Sequence, residues 1–192
     1  DNGNFTTCSF DVTLEDSIAP SITCPADISI SADANVCEAL VSIPAPVAND
    51  NCGIVSTIND YNGTSDASDV YPVGTTTVTW TTTDVAGNET QCSMTITIID
   101  NEAPSITCPA DLTQSADSSV CEAMVVVDAL VASDNCAVAS ITNDYNGSSD
   151  ASDIYPVGTT TVTWTVVDIY GNETQCSMTI TIIDNEAPSI TC

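Results

Sequence analysis

Three observations predict an all-β protein built as tandem antiparallel β-sandwiches, beads on a string. The chain repeats itself with a spacing of 84 residues: Ser17–Asp100 and Asn101–Asp184 agree at 60 of 84 positions. Within each repeat, apolar and hydroxyl residues alternate with period two, as in Cys92-Ser93-Met94-Thr95-Ile96-Thr97-Ile98, which gives one core face and one wet face. Finally, the apolar residues, 43% of the chain, are rich in Val and Ile, and Thr is abundant, which suits a pleated, half-buried surface.

Taken in order, the first repeat reads as strands near 21–24, 27–32, 36–43, 53–60, 68–71, 75–83 and 91–99. Ile28 and Ile30 share a face, as do Cys37, Ala39, Val41 and Ile43. Tyr71-Pro72-Val73-Gly74 and Asp84-Val85-Ala86-Gly87-Asn88 carry turn chemistry. Trp80 and Trp164 fall at matching strand positions and read as core. No segment carries a helical stripe, and short strands with regularly spaced turns make a sandwich.

The repeat also sets the domain organisation. Residues 17–100 and 101–184 form two whole repeats, 1–16 match the C-terminal strand of a preceding one, and 185–192 match the start of a following one. The sequence therefore reads as a window on a longer array. A unit of 84 residues is domain-sized, so each should hold its own core. No apolar run approaches the roughly 18 residues of a membrane span.

Charge excludes whole classes of function. There are 27 Asp plus Glu and no Lys, Arg or His, for a net charge of −27. Nucleic-acid binding through counterion release needs cationic side chains. Schiff-base lysines and histidine bases are equally absent, so Ser and Thr have nothing to activate them. A glycosidase-like carboxylate pair would need a cleft lined with sugar-binding aromatics, and aromatics are 5% of the chain. Ten Cys, with no His and no CxxC pair, point to disulfides in an oxidising extracellular compartment rather than to zinc.

Five motifs recur in fixed order. In the second repeat they are Pro104-Ser105-Ile106-Thr107-Cys108-Pro109, Ser133-Asp134-Asn135-Cys136, Tyr155-Pro156-Val157-Gly158-Thr159, Asp168 with Gly171-Asn172, and Cys176-Ser177-Met178-Thr179. The first repeat carries them as Cys24-Pro25, Asp50-Asn51-Cys52, Tyr71-Pro72-Val73-Gly74-Thr75, Asp84 with Gly87-Asn88, and Cys92-Ser93. This signature resembles the hyalin repeat (HYR) module over essentially the whole chain. The resemblance implies an immunoglobulin-like sandwich of extracellular animal and bacterial surface proteins, used for adhesion or structural spacing and not for catalysis. Two departures stand out. Tyr71 and Tyr155 replace the more usual Phe before Pro, and the cationic residues common in such modules are missing.

The candidate sites are acids, cysteines and asparagines. If strands alternate up and down, the loops at Asp50 and Asp84 meet the entering segment at Asp16, and those at Asp134 and Asp168 meet Asp100 and Glu102. Several carboxylates at one place suit Ca²⁺, which takes six to eight oxygens. The first junction lacks the Glu and is expected to be the weaker site. The acidic segment Asn59–Asp69, repeated at 143–153, lacks the Gly and Glu positions of an EF-hand and reads as a solvated loop.

Four Cys per repeat allow three pairings. Our strand reading favours Cys52 with Cys92 and Cys136 with Cys176. It leaves Cys24 to Cys37 and Cys108 to Cys121, or bridges Cys37 to Cys108. Sequons stand at Asn4, Asn62, Asn88, Asn146 and Asn172, all in expected turns where a covalent glycan could attach. The Thr runs 75–77, 81–83 and 159–161 read as the wet faces of strands.

The expected role is structural: a segment of an extracellular fibre, stalk or surface coat, tied by disulfides and Ca²⁺. Its partners are neighbouring repeats and copies of itself. The alternative is an adhesin gripping carbohydrate or protein through its loops. The loops at 59–69 and 143–153 differ only in Thr64 against Ser148, which favours uniform spacing over a specialised binding loop.

Overall fold

The structure, a computed structural model, describes residues 2–191, and every regular element in it is a strand. The first repeat contributes β1 (Ser21–Thr23), β2 (Ile28–Ser31), β3 (Glu38–Val41), β4 (Val47–Asn49), β5 (Ile54–Asn59), β6 (Asp69–Pro72), β7 (Gly74–Asp84) and β8 (Glu89–Ile99). The second contributes β9 (Ser105–Thr107), β10 (Leu112–Ser115), β11 (Glu122–Val125), β12 (Val131–Ser133), β13 (Val138–Asn143), β14 (Asp153–Pro156), β15 (Gly158–Asp168) and β16 (Glu173–Ile183). Two compact units result, Asp1–Ile30 with Leu40–Thr97 and Ser31–Ala39 with Ile98–Cys192.

Each repeat has a four-stranded sheet, β2-β8-β7-β5 or β10-β16-β15-β13. Facing it are two-stranded pairs, β3-β6 and β1-β4 in the first repeat, β11-β14 and β12-β9 in the second. β10 runs parallel to β16, with Leu112 opposite Ile180, whereas β1–β4, β5–β7, β9–β12, β11–β14, β13–β15 and β15–β16 pair antiparallel. The sequence reading did not anticipate β4 or β12. Each is three residues long and recognisable only from its partner, as where Ala48 lies opposite Ile22.

Period-two alternation builds the core. In the second unit Val162, Trp164, Met178 and Ile180 from the long hairpin meet Ala123, Val125 and Tyr155 from the small sheet. Burying side chains of this size contributes roughly 1.5–3 kcal/mol each. The opposite face carries hydroxyl ladders, with Thr163 Oγ1 3.1 Å from Ser177 Oγ and Thr79 Oγ1 3.1 Å from Ser93 Oγ. The Thr runs 75–77 and 159–161 are therefore strand surface, but in the run 81–83 the wet-face reading fails at Thr82, which is fully buried with its hydroxyl 3.0 Å from Thr57 Oγ1. The hairpin turn at 168–172 and the β14–β15 junction require Gly171 (φ 94°) and Gly158 (φ 120°), a region that residues with a Cβ rarely adopt.

The departure from Phe has a reason. Tyr71 and Tyr155 are fully buried, and their hydroxyls donate to Ala67 O and Ala151 O, both at 2.7 Å. A buried tyrosine bonded to backbone a few residues upstream is a recurrent corner of immunoglobulin-like sandwiches. Tyr61 and Tyr145 stack on these rings at 4.4 and 4.2 Å between centroids. Burial, followed by the neighbouring Tyr61 or Tyr145 and nearby acids, pushes both buried hydroxyls up to about 12.

The disulfides correct the sequence reading. Cys24 bonds Cys92, Cys108 bonds Cys176, and Cys37 bonds Cys136, whereas Cys52 and Cys121 are exposed thiols. Cys52 precedes β5, and β7 lies between β5 and β8, which carries Cys92. Two strand spacings are about 9–10 Å, beyond the roughly 7 Å Cα separation a disulfide tolerates. Cys24, just past β1, instead has its Cα 5.7 Å from that of Cys92. Cys37 pairs with neither Cys24 nor Cys108, because the 33–37 turn meets the loop at Asp134–Cys136.

Candidate metal centres

In the first unit Asp16 comes from the entering segment, Asp50 from the β4–β5 loop and Asp84 from the end of β7. One carboxylate oxygen from each lies within 4.8 Å of the others. Asp50 folds its own loop, Oδ2 accepting the amides of Cys52 at 2.7 Å and Gly53 at 3.0 Å, and its buried Oδ1 has no donor among the described residues. Asp84 closes the hairpin turn by accepting from the Asn88 amide at 2.8 Å and from Asn88 Nδ2 at 2.7 Å. Asp16 accepts from the Ile18 amide at 3.1 Å and from Asn51 Nδ2 at 3.3 Å.

The second unit repeats the pattern with a different outcome. Asp100, Asp134 and Cys136 form the close group. Asp134 Oδ1 accepts the amides of Cys136 and Ala137, while Asp100 Oδ1 accepts from Glu102 N–H and Asn135 Nδ2. The other oxygens, Asp134 Oδ2 and Asp100 Oδ2, are buried without a donor among the described residues, as is Asn135 Oδ1. Asp100 is only 6% exposed. Three acceptors shut away from water with nothing to donate to them are costly unless something positive sits among them.

Not every expected residue joins. Asp168 lies outside the close group and, as Asp84 does in the first unit, closes its own turn, accepting from Tyr170 and Asn172 amides and from Asn172 Nδ2, each at 2.8 Å. Asn172 Nδ2 also donates to Asp100 O at 3.2 Å and so links the turn to the cluster. Glu102 lies outside the close group and caps the Asn35 amide at 2.7 Å. The first junction, expected to be weaker for want of a Glu, gathers three carboxylates. Acid counting missed Asn135; the Asp-Asn-Cys motif that holds it was its only signal.

Several aspartates are held below their ordinary value of 3.8. For Asp16 the Ile18 amide is the main cause, followed by Cys52 and Asn51. For Asp84 and Asp168 burial pulls the other way, and the donors of Asn88 or Asn172 and their neighbouring amides outweigh it. Hydrogen bonding to the charged form keeps these groups as carboxylates.

The donor set suits a hard divalent cation. Carboxylate and amide oxygens are the ligands of Ca²⁺. The Cys136 sulfur is bound to Cys37, which removes the thiolate a softer metal would need. A cleft of about 250 Å³ lined by Asn35, Glu102, Asp134 and Asn135 adjoins the cluster. The acidic segments at 59–69 and 143–153 add no acid to either group. Their side chains close on themselves instead, as where Asn59 Nδ2 donates to Asn62 Oδ1 and Thr64 O.

Of the sequon asparagines, Asn4 is exposed. The Nδ2 groups of Asn62 and Asn146 each donate to a loop carbonyl and an aspartate. Those of Asn88 and Asn172 brace the acidic turns. A glycan on any of these four would displace a hydrogen bond of the fold.

Comparison with known proteins agrees with this architecture. The HYR domain model matches residues 15–98 and again 99–182. The chain belongs to the HYR domain family. It is 32% identical over 183 residues to hyalin of Strongylocentrotus purpuratus, covering 92% of this chain and 15% of that protein. To hyalin of Lytechinus variegatus it is 32% identical over 190 residues, 95% of this chain and 35% of that protein. This HYR chain thus spans a minor part of its hyalin relatives. Among solved structures, the protocadherin gammaB7 EC3-6 cis-dimer matches 88% of this chain and 52% of that one, with a TM-score of 0.42 and 15% identity. Structural disulfides and HYR membership make this an extracellular or cell-surface protein.

Proposed function

We propose that this HYR pair is a structural spacer in an extracellular fibre, stalk or surface coat, and that Ca²⁺ completes it. Asp100, Asp134 and Asn135 would hold one ion, and Asp16, Asp50 and Asp84 a second. The observation that carries the reading is the set of buried oxygens without donors, Asp100 Oδ2, Asp134 Oδ2 and Asn135 Oδ1, in a chain with no cationic side chain. A bound divalent ion neutralises like charges that otherwise repel across each cluster. Its partners in this role are neighbouring repeats and further copies of the chain.

The test is thermal melting in Ca²⁺ and in EDTA, on the parent chain and on Asp134→Asn. The parent is expected to melt higher in Ca²⁺. Asp134→Asn removes one of two facing charges, so in EDTA it should melt no lower than the parent while losing most of the Ca²⁺ shift of the second unit and keeping that of the first. Equal melting of the parent in both buffers would leave the acids as turn caps and solvating charge.

A further inference from the structure

The Cys37–Cys136 bond crosses the 84-residue frame, joining the turn before β3 to the Asp-Asn-Cys loop of the next repeat, both inside the second compact unit. Around it Glu102 caps the Asn35 amide at 2.7 Å, and Asn135 Nδ2 donates to Val36 O at 3.2 Å. The same turn stands at 117–121. Asp117 N–H donates to Glu122 O at 2.8 Å and Val120 N–H to Asp117 O at 3.3 Å, matching Asp33 to Glu38 and Val36 to Asp33 at the same distances. Ser119 has φ 67° where Asn35 has 62°, and Glu186 caps its amide at 2.9 Å. Here, though, the thiol of Cys121 is exposed and unbonded. The turn thus holds its bonded shape with no loop seated on it, a preorganised half of a joint.

What covers it is legible in the adjoining segment. Asn185-Glu186-Ala187-Pro188-Ser189-Ile190-Thr191 is identical to Asn101–Thr107. In the bonded joint that stretch runs into β9, whose Ser105 lies opposite Ser133, the residue before the Asp134–Cys136 loop. We propose that the 117–121 turn with Glu186 is a docking and crosslinking site for the Asp-Asn-Cys loop of a further HYR repeat entered through Asn185–Thr191, with Cys121 bonding that loop's cysteine. Each thiol gives up one hydrogen as the new S–S bond forms, and a small-molecule disulfide such as oxidised glutathione takes the two electrons and two protons to become two thiols. Successive repeats would then be linked twice, by the polypeptide and by a bond reaching across the frame. This linkage does not depend on Ca²⁺.

The experiment lengthens the full chain by appending a copy of residues 109–192 after Cys192. Both chains are oxidised in a glutathione buffer containing EDTA, alkylated, digested without reduction and mapped by mass spectrometry. Cys121 is expected to link to the cysteine of the appended Asp-Asn-Cys loop, and its alkylation to fall at least ten-fold relative to the 192-residue chain. Cys121 left alkylated, or linked to Cys8, Cys52 or another chain, would overturn the proposal when the appended repeat has formed its own counterpart of Cys108–Cys176. An independent measurement uses the 192-residue chain alone. Cys121 should exchange faster with a disulfide of the 131–138 peptide than with a scrambled version, and Glu186→Gln should reduce that preference; equal rates would overturn it as well.

Discussion

Replacing Cys24 and Cys92 together by alanine tests the corrected connectivity through its energetics. The bond closes a stretch of 68 residues. Chain-entropy arithmetic for a loop of that size gives about 4.4 kcal/mol at 25 °C, acting mainly by restricting the unfolded chain. For a domain of this size each kcal/mol moves the melting temperature by roughly 4–8 °C, so the first unit should melt roughly 18–35 °C lower. Cys52→Ala should stay within about 0.5 kcal/mol of the parent, since Cys52 is exposed and forms no disulfide. Urea unfolding followed by the fluorescence of buried Trp80 reads both variants, with Trp164 changed to Phe in every chain compared. A Cys52→Ala loss as large as that of the double variant would refute the pairing. So would a double variant that loses less than about 1 kcal/mol.

Other expectations follow from single residues. Tyr155→Phe removes the bond to Ala151 O and leaves that carbonyl buried without a donor, so it should cost about 1–3 kcal/mol, read as a lower urea midpoint at unchanged slope. Asp168 is depressed below 3.8 in the folded chain, so its contribution is present above the unfolded value and lost as pH falls through the folded one. The stability gap between the parent and Asp168→Asn should therefore be full near neutrality and close progressively below about pH 4; a gap unchanged down to pH 2 would contradict this linkage. Asp134→Asn should abolish most of the second unit's Ca²⁺ melting shift, leave the first unit's in place, and not lower stability in EDTA.

Much of the fold was legible because strand periodicity is local. The alternation through Cys92–Ile98 and the match of Trp80 with Trp164 need no knowledge of the partner strand. Meeting of the Asp16, Asp50 and Asp84 segments also followed from alternating strand direction alone. The disulfides were not legible, because their pairing depends on which strand lies between two others, and β7 stands between β5 and β8. Short β4 and β12 were missed for the same reason, being defined by β1 and β9 and not by their own composition. Within the candidate centres, charge pointed to the aspartates, while Glu102 lies outside the close group and caps the left-handed turn at Asn35. The neutral Asn135 oxygen carries no charge signature at all.

The measurement that bears most directly on the proposed role is calorimetric titration of the chain with Ca²⁺, paired with melting at saturation. The account predicts saturable binding at two sites, one per acidic cluster. With free Ca²⁺ near one hundred times the dissociation constant, linkage stabilises by about 2.7 kcal/mol per site, or roughly 10–20 °C in melting temperature for a unit of this size. Absence of binding heat together with melting indifferent to EDTA would contradict it and leave a disulfide-held array whose acidic turns carry no ion.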